Sequence, residues 1–163
     1  MGVFLGIVAV LVLVLLVIGV LFFLGMRAKS PAVQGLVRRM NRRFTNPRQM
    51  RSAGQPGAYA SIIRHVGRRS GTAYETPVVP FPIDGGFVIA LPYSTRPDWL
   101  HNVLAAGTAT LLTEGTTYRL DDPEVIPTAE ILDALPVKEQ RTLTRFKVEQ
   151  SLRVRATPVD AAT

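Results

Sequence analysis

The most informative local motif in the 163-residue chain is Gly67-Arg68-Arg69-Ser70-Gly71. Its glycines permit a tight turn with exposed backbone N–H groups, and its two adjacent guanidiniums and hydroxyl offer donors to a phosphate or carboxylate. A basic surface hairpin is the plainer reading of the same pattern, and the residues alone leave both open. Trp99, the only tryptophan, opens a predicted short helix, with Asn102 three residues on and on the same face. The indole reads either as core packing or as a pocket wall, and the amide either as a partner for a planar ligand or as an ordinary helix-surface group. The two histidines, His65 and His101, form no directed pair, although His101 adjoins Trp99 and Asn102. There is no Gly-x-Ser-x-Gly, His-Glu-x-x-His or Walker loop. The absence of cysteine excludes a disulfide scaffold, a thiolate metal site and a Cys nucleophile. No catalytic residue and no metal site are therefore nominated from the residues.

The elements that must position these groups are mostly short strands. Tyr59–Val66 is predicted as one, followed by the turn at 67–72. Ala73–Phe81 is predicted as a second, with Pro77 and Pro80 pointing to an edge or bulged strand. Asp84-Gly85-Gly86 is a hairpin turn into Phe87–Leu91. A loop, Pro92–Pro97, precedes a helix over Asp98–Ala106, where Thr95-x-x-Asp98 has capping-box spacing and Gly107 is the stop. Strands at Thr110–Thr113 and Thr116–Leu120 follow, then helices at 128–135 and about 137–145, and a last strand over Phe146–Arg155. Antiparallel hairpins at regular spacing predict a mainly β fold, a small barrel with a few short helices.

Residues 3–25 contain no charged side chain. At about 1.5 Å per residue this run reaches roughly 34 Å, enough for a hydrocarbon layer of about 30 Å. A secretory signal would need a charged start, a shorter apolar stretch and a small-x-small cleavage site, none of which is seen. The segment is expected to be a transmembrane anchor. Charge is equally uneven: residues 1–74 carry 11 Arg and Lys and no acid, whereas 75–163 carry 8 basic and 12 acidic, so +11 and −4 give the net +7. The arginine-rich collar from Arg27 to Arg51 predicts a single-pass protein in the cell membrane, with its N-terminus outside and its soluble portion cytoplasmic. From Pro31 to Phe44, Val33, Leu36, Val37, Met40 and Phe44 recur at helical spacing among Arg38, Arg39, Arg42 and Arg43. This is either a helix lying on an anionic leaflet or a solvated basic linker. The expected division is 1–26 anchor, 27–57 basic helix and linker, 58–156 barrel, and 157–163 disordered tail. Nucleic acid is not an expected partner, because no aromatic interleaving or groove-reading motif accompanies the arginines.

Taken in order, GRRSG, Thr76-Pro77-Val78, FVIALPYS, PDWLHNVLAAGTATL and GTTYRL resemble the deazaflavin-dependent nitroreductase family over about residues 55–126. The resemblance implies a split β-barrel related to the flavin-mononucleotide-binding barrels. It implies coenzyme F420, an 8-hydroxy-5-deazaflavin, as cofactor, with FMN the nearest alternative. By position, it implies that Gly67, Arg68, Arg69, Ser70 and Gly71 contact the phosphate and acidic tail. Thr76, Pro77, Val78 and Val79 would run beside the ring, Tyr93, Ser94 and Thr95 would lie near ring and phosphate, and Trp99 and Asn102 would close the pocket. It also implies a hydride-transferring reductase of nitro, quinone or enone acceptors, and pairing of two copies through the barrel. Hydride chemistry belongs to the cofactor, so no protein nucleophile is required. The family's Tyr-rich C-terminal segment is missing, since residues 128–163 contain no tyrosine and leave no proton donor to carry over. The apolar N-terminal run directs attention to membrane lipid as a partner and to a membrane-dissolved acceptor such as a quinone. A non-catalytic, membrane-tethered cofactor-binding barrel is the alternative expectation.

Overall fold

A computed structural model of the chain describes residues 2–28, 30–40, 43, 45–92 and 95–159. It divides into two compact units, Met1–Arg39 and Met40–Thr163. The first holds helix α1, Gly2–Arg27, and most of α2, Pro31–Met40. The stretch Phe4–Arg27 is long and apolar enough to cross a membrane, and none of its most apolar window is buried against protein. Pro31 opens α2 at a position where its missing N–H costs nothing. Arg42 and Phe44, from the expected basic helix, and Lys29 lie outside the described residues.

The second unit begins with a short helix, α3 (Asn46–Gln49), and is otherwise dominated by strands: β1 (Ser61–Val66), β2 (Ala73–Val78), β3 (Pro80–Ile83), β4 (Gly86–Ala90), β5 (Thr108–Thr113), β6 (Thr116–Pro127) and β7 (Gln150–Pro158). Helix α4, Asp98–Ala106, precedes β5. Two 3₁₀ turns, Thr128–Glu130 and Leu132–Ala134, and α5, Val137–Arg145, separate β6 from β7. The strands form one antiparallel sheet in the order β2-β1-β5-β6-β7-β4-β3. Its two edges, β2 and β3, are consecutive in the chain and separated only by Val79. Laid flat, seven strands would hold those edges about 29 Å apart. The two peptide units from Val78 to Pro80 reach only about 7 Å. The sheet must therefore curl until its edges meet at Val79, which makes the mainly β barrel expected from the hairpin pattern.

The single strand expected over Ala73–Phe81 is thus two edge strands. Pro77, Pro80 and Pro82 all fall on these edges, where a residue without an N–H breaks no interior ladder. Strand β6 runs on to Pro127, past the predicted Leu120, because a bulge between Asp121 and Glu124 lets it keep its pairing with β7. Strand β7 starts at Gln150, not Phe146. It extends to Pro158, two residues into the expected tail, by pairing Thr157 with Arg119 and Pro158 with Tyr118. The β5–β6 turn puts both central residues at positive φ, Glu114 at 49° and Gly115 at 76°, the twist a tight hairpin needs.

Alternation along strands sends neighbours to opposite faces. Ile63 joins the barrel interior with Leu100, Leu111, Leu120 and Leu152, while Ile62 packs outside with Ala53 and Ala60. Residues 50–60, expected largely as linker, are therefore part of the barrel's cover. They are tied down where Gly115 N–H donates to the Gly54 carbonyl (2.7 Å) and Gly57 N–H donates to the Glu114 carboxylate (2.7 Å). On the opposite flank Val88, Ile126, Ile131, Leu135 and Leu143 bury α5 and the 3₁₀ turns against the sheet. Helix α4 packs on the barrel through Leu100 and Val103, both fully buried, which leaves its first turn at the rim.

Candidate functional site

The rim is built by the tip of the β1–β2 hairpin folding onto the start of α4. Within the tip, Gly67 N–H donates to the Thr72 carbonyl and Gly71 N–H to the Gly67 carbonyl, each at 2.8 Å. A Cβ on Gly67 would sit 2.6 Å from Ser70 Oγ and 2.9 Å from Tyr74 Cε2, so any larger residue here would have to displace those two side chains from the turn. The tip is held from outside by Asn102. Its Oδ1 accepts from Arg68 N–H at 3.1 Å and from Arg68 Nη1 at 3.0 Å. Arg68 Nη1 also reaches Asp98 Oδ1 at 3.1 Å. The expected Thr95–Asp98 capping box does not form: Pro97 is the N-cap, with no side-chain cap bond, and the Asp98 carboxylate turns to Arg68. Asp98 still places negative charge at the helix N-terminus, where the dipole favours it.

Between tip and helix lies a cavity of about 520 Å³, lined by His65, Gly67, Arg68, Arg69, Ser70, Tyr74, Glu75, Thr76, Asp98, Trp99 and Asn102. Seven of the residues singled out from sequence thus meet at one cleft: Gly67, Arg68, Arg69, Ser70, Thr76, Trp99 and Asn102. Gly71, Pro77, Val78, Val79 and Thr95 are not in its lining; Val78 is instead buried in the barrel core. Tyr93 and Ser94 lie outside the described residues. Trp99 does both things weighed for it, packing against the interior cluster and lining the cleft.

Four lining residues were not foreseen: His65, Tyr74, Glu75 and Asp98. A signal for His65 was present in strand alternation, since it stands two residues after the fully buried Ile63 and so shares its face. His65 is buried, and burial holds its imidazole below the ordinary histidine range. Nδ1 lies 3.2 Å from Asn102 Nδ2, Nε2 lies 3.1 Å from Thr76 Oγ1, and Tyr74 stacks on the ring at 5.8 Å.

The acids change the electrostatics expected from sequence, where the Arg turn had no acidic neighbour. The fold brings Asp98 to Arg68, and it brings Glu75, paired with Arg64 at 2.8 Å, to the same wall. Among the described residues Arg69 has no hydrogen bond or ion pair, so it is the uncompensated cation of the cleft. The Asp98 side chain is 87% exposed, and solvent weakens its hold on Arg68. Ser70 Oγ accepts from Thr72 N–H at 3.3 Å, and His65 is committed to Thr76 and Asn102, so no nucleophile–base pair forms here. Among the described residues no three His, Cys, Asp or Glu side chains are grouped to hold a metal ion. The arrangement suits capture of an anionic ligand with an aromatic part: guanidinium and hydroxyl donors on one side, indole and phenol rings on the others.

No protein-family model and no curated protein matches the chain. Solved structures do. They include the "Structure of F420-H2 Dependent Reductase (FDR-A)", 16% identical with a TM-score of 0.45, the match covering 60% of this chain and 94% of that one. They also include a second structure at 12% identity and a TM-score of 0.36, covering 69% of this chain and 87% of that one.

Proposed function

We propose that the protein is a membrane-anchored oxidoreductase that binds reduced coenzyme F420 in the cleft between the β1–β2 tip and α4, and passes hydride to a small organic acceptor. The observation that carries this reading is the convergence of Arg68, Arg69, Ser70, Trp99 and Asn102 on one cavity, from two segments about thirty residues apart. These are the positions that the resemblance to the deazaflavin-dependent nitroreductases assigns to the cofactor. The cofactor, when bound, supplies the hydride chemistry. The chain's own residues bind and orient: Arg69 and the Ser70 hydroxyl face the anionic end, Arg68 is held in place by Asn102, and Trp99 walls the ring. The acceptor class that fits helix α1 is a membrane-dissolved quinone arriving from the bilayer, with nitro compounds and enones as other candidates. The arginines following α1 favour a cytoplasmic barrel in the cell membrane.

FMN is the second reading, and a specific observation favours it. With Arg68 engaged by Asp98, the cleft keeps one uncompensated guanidinium, which suits a single phosphate better than a phosphate plus several carboxylates. The test is titration of the full chain in lipid nanodiscs with F420 and with FMN, following ligand and Trp99 fluorescence, then oxidation of reduced F420 by a quinone. Micromolar or tighter F420 binding, lost in Arg68→Ala/Arg69→Ala, supports the proposal. Tighter FMN binding replaces the cofactor, and binding without turnover leaves a carrier.

A further inference from the structure

At the barrel rim a part-buried polar chain runs Thr76–His65–Asn102–Arg68, its His65–Asn102 link buried, and it joins the interior of the sheet to the anion-facing turn. Asn102 is its pivot. Arg68 presents two donors to it, a backbone N–H and Nη1, so the oxygen of the amide must face Arg68. The amide nitrogen is then turned toward His65 Nδ1, and a donor there requires an unprotonated acceptor. Nδ1 is therefore bare, the proton sits on Nε2, and Nε2–H donates to Thr76 Oγ1. Each partner fixes the next one's orientation, and the neutral imidazole is the only form compatible with all of them.

We propose that His65 is a positioning residue for the anion cradle: as the neutral Nε2–H tautomer it orients Asn102, which in turn fixes Arg68, and its protonation releases the turn and weakens anion binding. This rests on the reading of the cleft as an anion site and adds its regulation by pH. Protonated Nδ1 would point a hydrogen at the amide nitrogen. Relieving that clash by flipping Asn102 would set the NH₂ group against Arg68 N–H and the guanidinium, so the conflict moves and does not vanish. The other charged or titratable groups that line the cleft with His65 are Arg68 and Arg69 from the turn, Tyr74 and Glu75 from β2, and Asp98 from α4. Glu75 is occupied by Arg64 and Asp98 by Arg68, so neither accepts from the imidazole. Strand β5, on the other side of β1, sets the uncharged Thr110, Leu111 and Leu112 opposite it.

The experiment titrates the full chain in lipid nanodiscs with F420 at about pH 7.5 and about pH 5, comparing wild type, His65→Asn and His65→Leu. Asn offers an oxygen near the Nδ1 position and cannot be protonated, whereas Leu offers no acceptor. The ligand's own titration is common to all three. The expected result is that, with each protein referred to its own affinity at the higher pH, wild type loses about tenfold or more beyond any loss in His65→Asn at the lower pH, and His65→Leu is weak at both. Equal pH dependence in wild type and His65→Asn overturns the inference. In parallel, nitrogen NMR of the histidine ring and the Asn102 amide reads the network without any cofactor. A bare Nδ1 at the higher pH, with Asn102 signals moving as His65 titrates, is expected; a protonated Nδ1 there overturns the inference. Failure to bind F420 at either pH refutes the deazaflavin reading alone, and inorganic pyrophosphate then replaces it as probe. Failure to bind pyrophosphate as well refutes the cradle and this inference with it.

Discussion

Asn102 Oδ1 accepts two hydrogen bonds from Arg68, one from its backbone N–H and one from its guanidinium, across 34 residues of sequence. The relationship couples a hairpin tip, which would otherwise be a solvated loop, to a buried side chain on α4. Removing the amide while keeping its bulk, as in Asn102→Leu, leaves Arg68 N–H and His65 Nδ1 without partners. The expected loss is about 1–3 kcal/mol of stability by chemical denaturation, together with weaker F420 binding. Unchanged stability would show that the tip is not held this way.

Arg68 and Arg69 are neighbours with different duties. Arg69 has no partner within the described residues, so Arg69→Ala should weaken anion binding and its salt dependence while leaving the melting temperature within about 1 °C of wild type. Arg68→Ala should lower both affinity and melting temperature, because it also removes donors to Asn102 and Asp98. Scanning calorimetry beside ligand titration separates the two.

Asp98 competes with an incoming anion for Arg68. Asp98→Asn keeps the size of the side chain and removes its charge, so affinity for F420 should rise a few-fold, about 3 to 10 times at low salt. Fluorescence titration reads the effect, and a drop in affinity would mean that Asp98 aids the ligand.

Stability should fall on acidification because of His65. Its folded pKa is depressed by burial, so between the folded and unfolded values the unfolded chain binds more protons. The penalty starts as pH drops below about 6.5, the ordinary histidine value, and grows until the folded pKa is passed. The His65→Asn variant should lose less stability than wild type from about pH 7.5 to pH 5 in denaturant titrations. Parallel curves for the two would assign the acid sensitivity to other groups.

The apolar helix has its own test. If a quinone reaches the cleft through the bilayer, deleting residues 1–30 should lower reduction of long-chain quinones in liposomes by about tenfold or more, while a water-soluble analogue is reduced as before. Equal rates with the long-chain substrate would discard lateral delivery.

Much of this protein was legible in local pattern. Residues 3–25 could be read as an uninterrupted apolar helix, long enough to cross a membrane, because no charged side chain interrupts the run. Helix α4 has the limits its residues predict, Asp98 to Ala106, because an apolar stripe at Leu100 and Val103 and a glycine stop at Gly107 are local facts. The hairpins at Asp84-Gly85 and Glu114-Gly115 and the edge character of the proline-bearing strands were equally local. Tertiary structure decided what depended on closure of the sheet. The break at Val79 exists because two edges must meet, and the passage of β6 through its bulge depends on β7, which arrives more than twenty residues later. The same closure brought Asp98 and Glu75 to the arginine turn and made His65 part of a hydrogen-bonded chain. Charge compensation and tautomer are set by neighbours a few ångströms away in space and tens of residues away along the chain, a distance that no local pattern of residue types encodes.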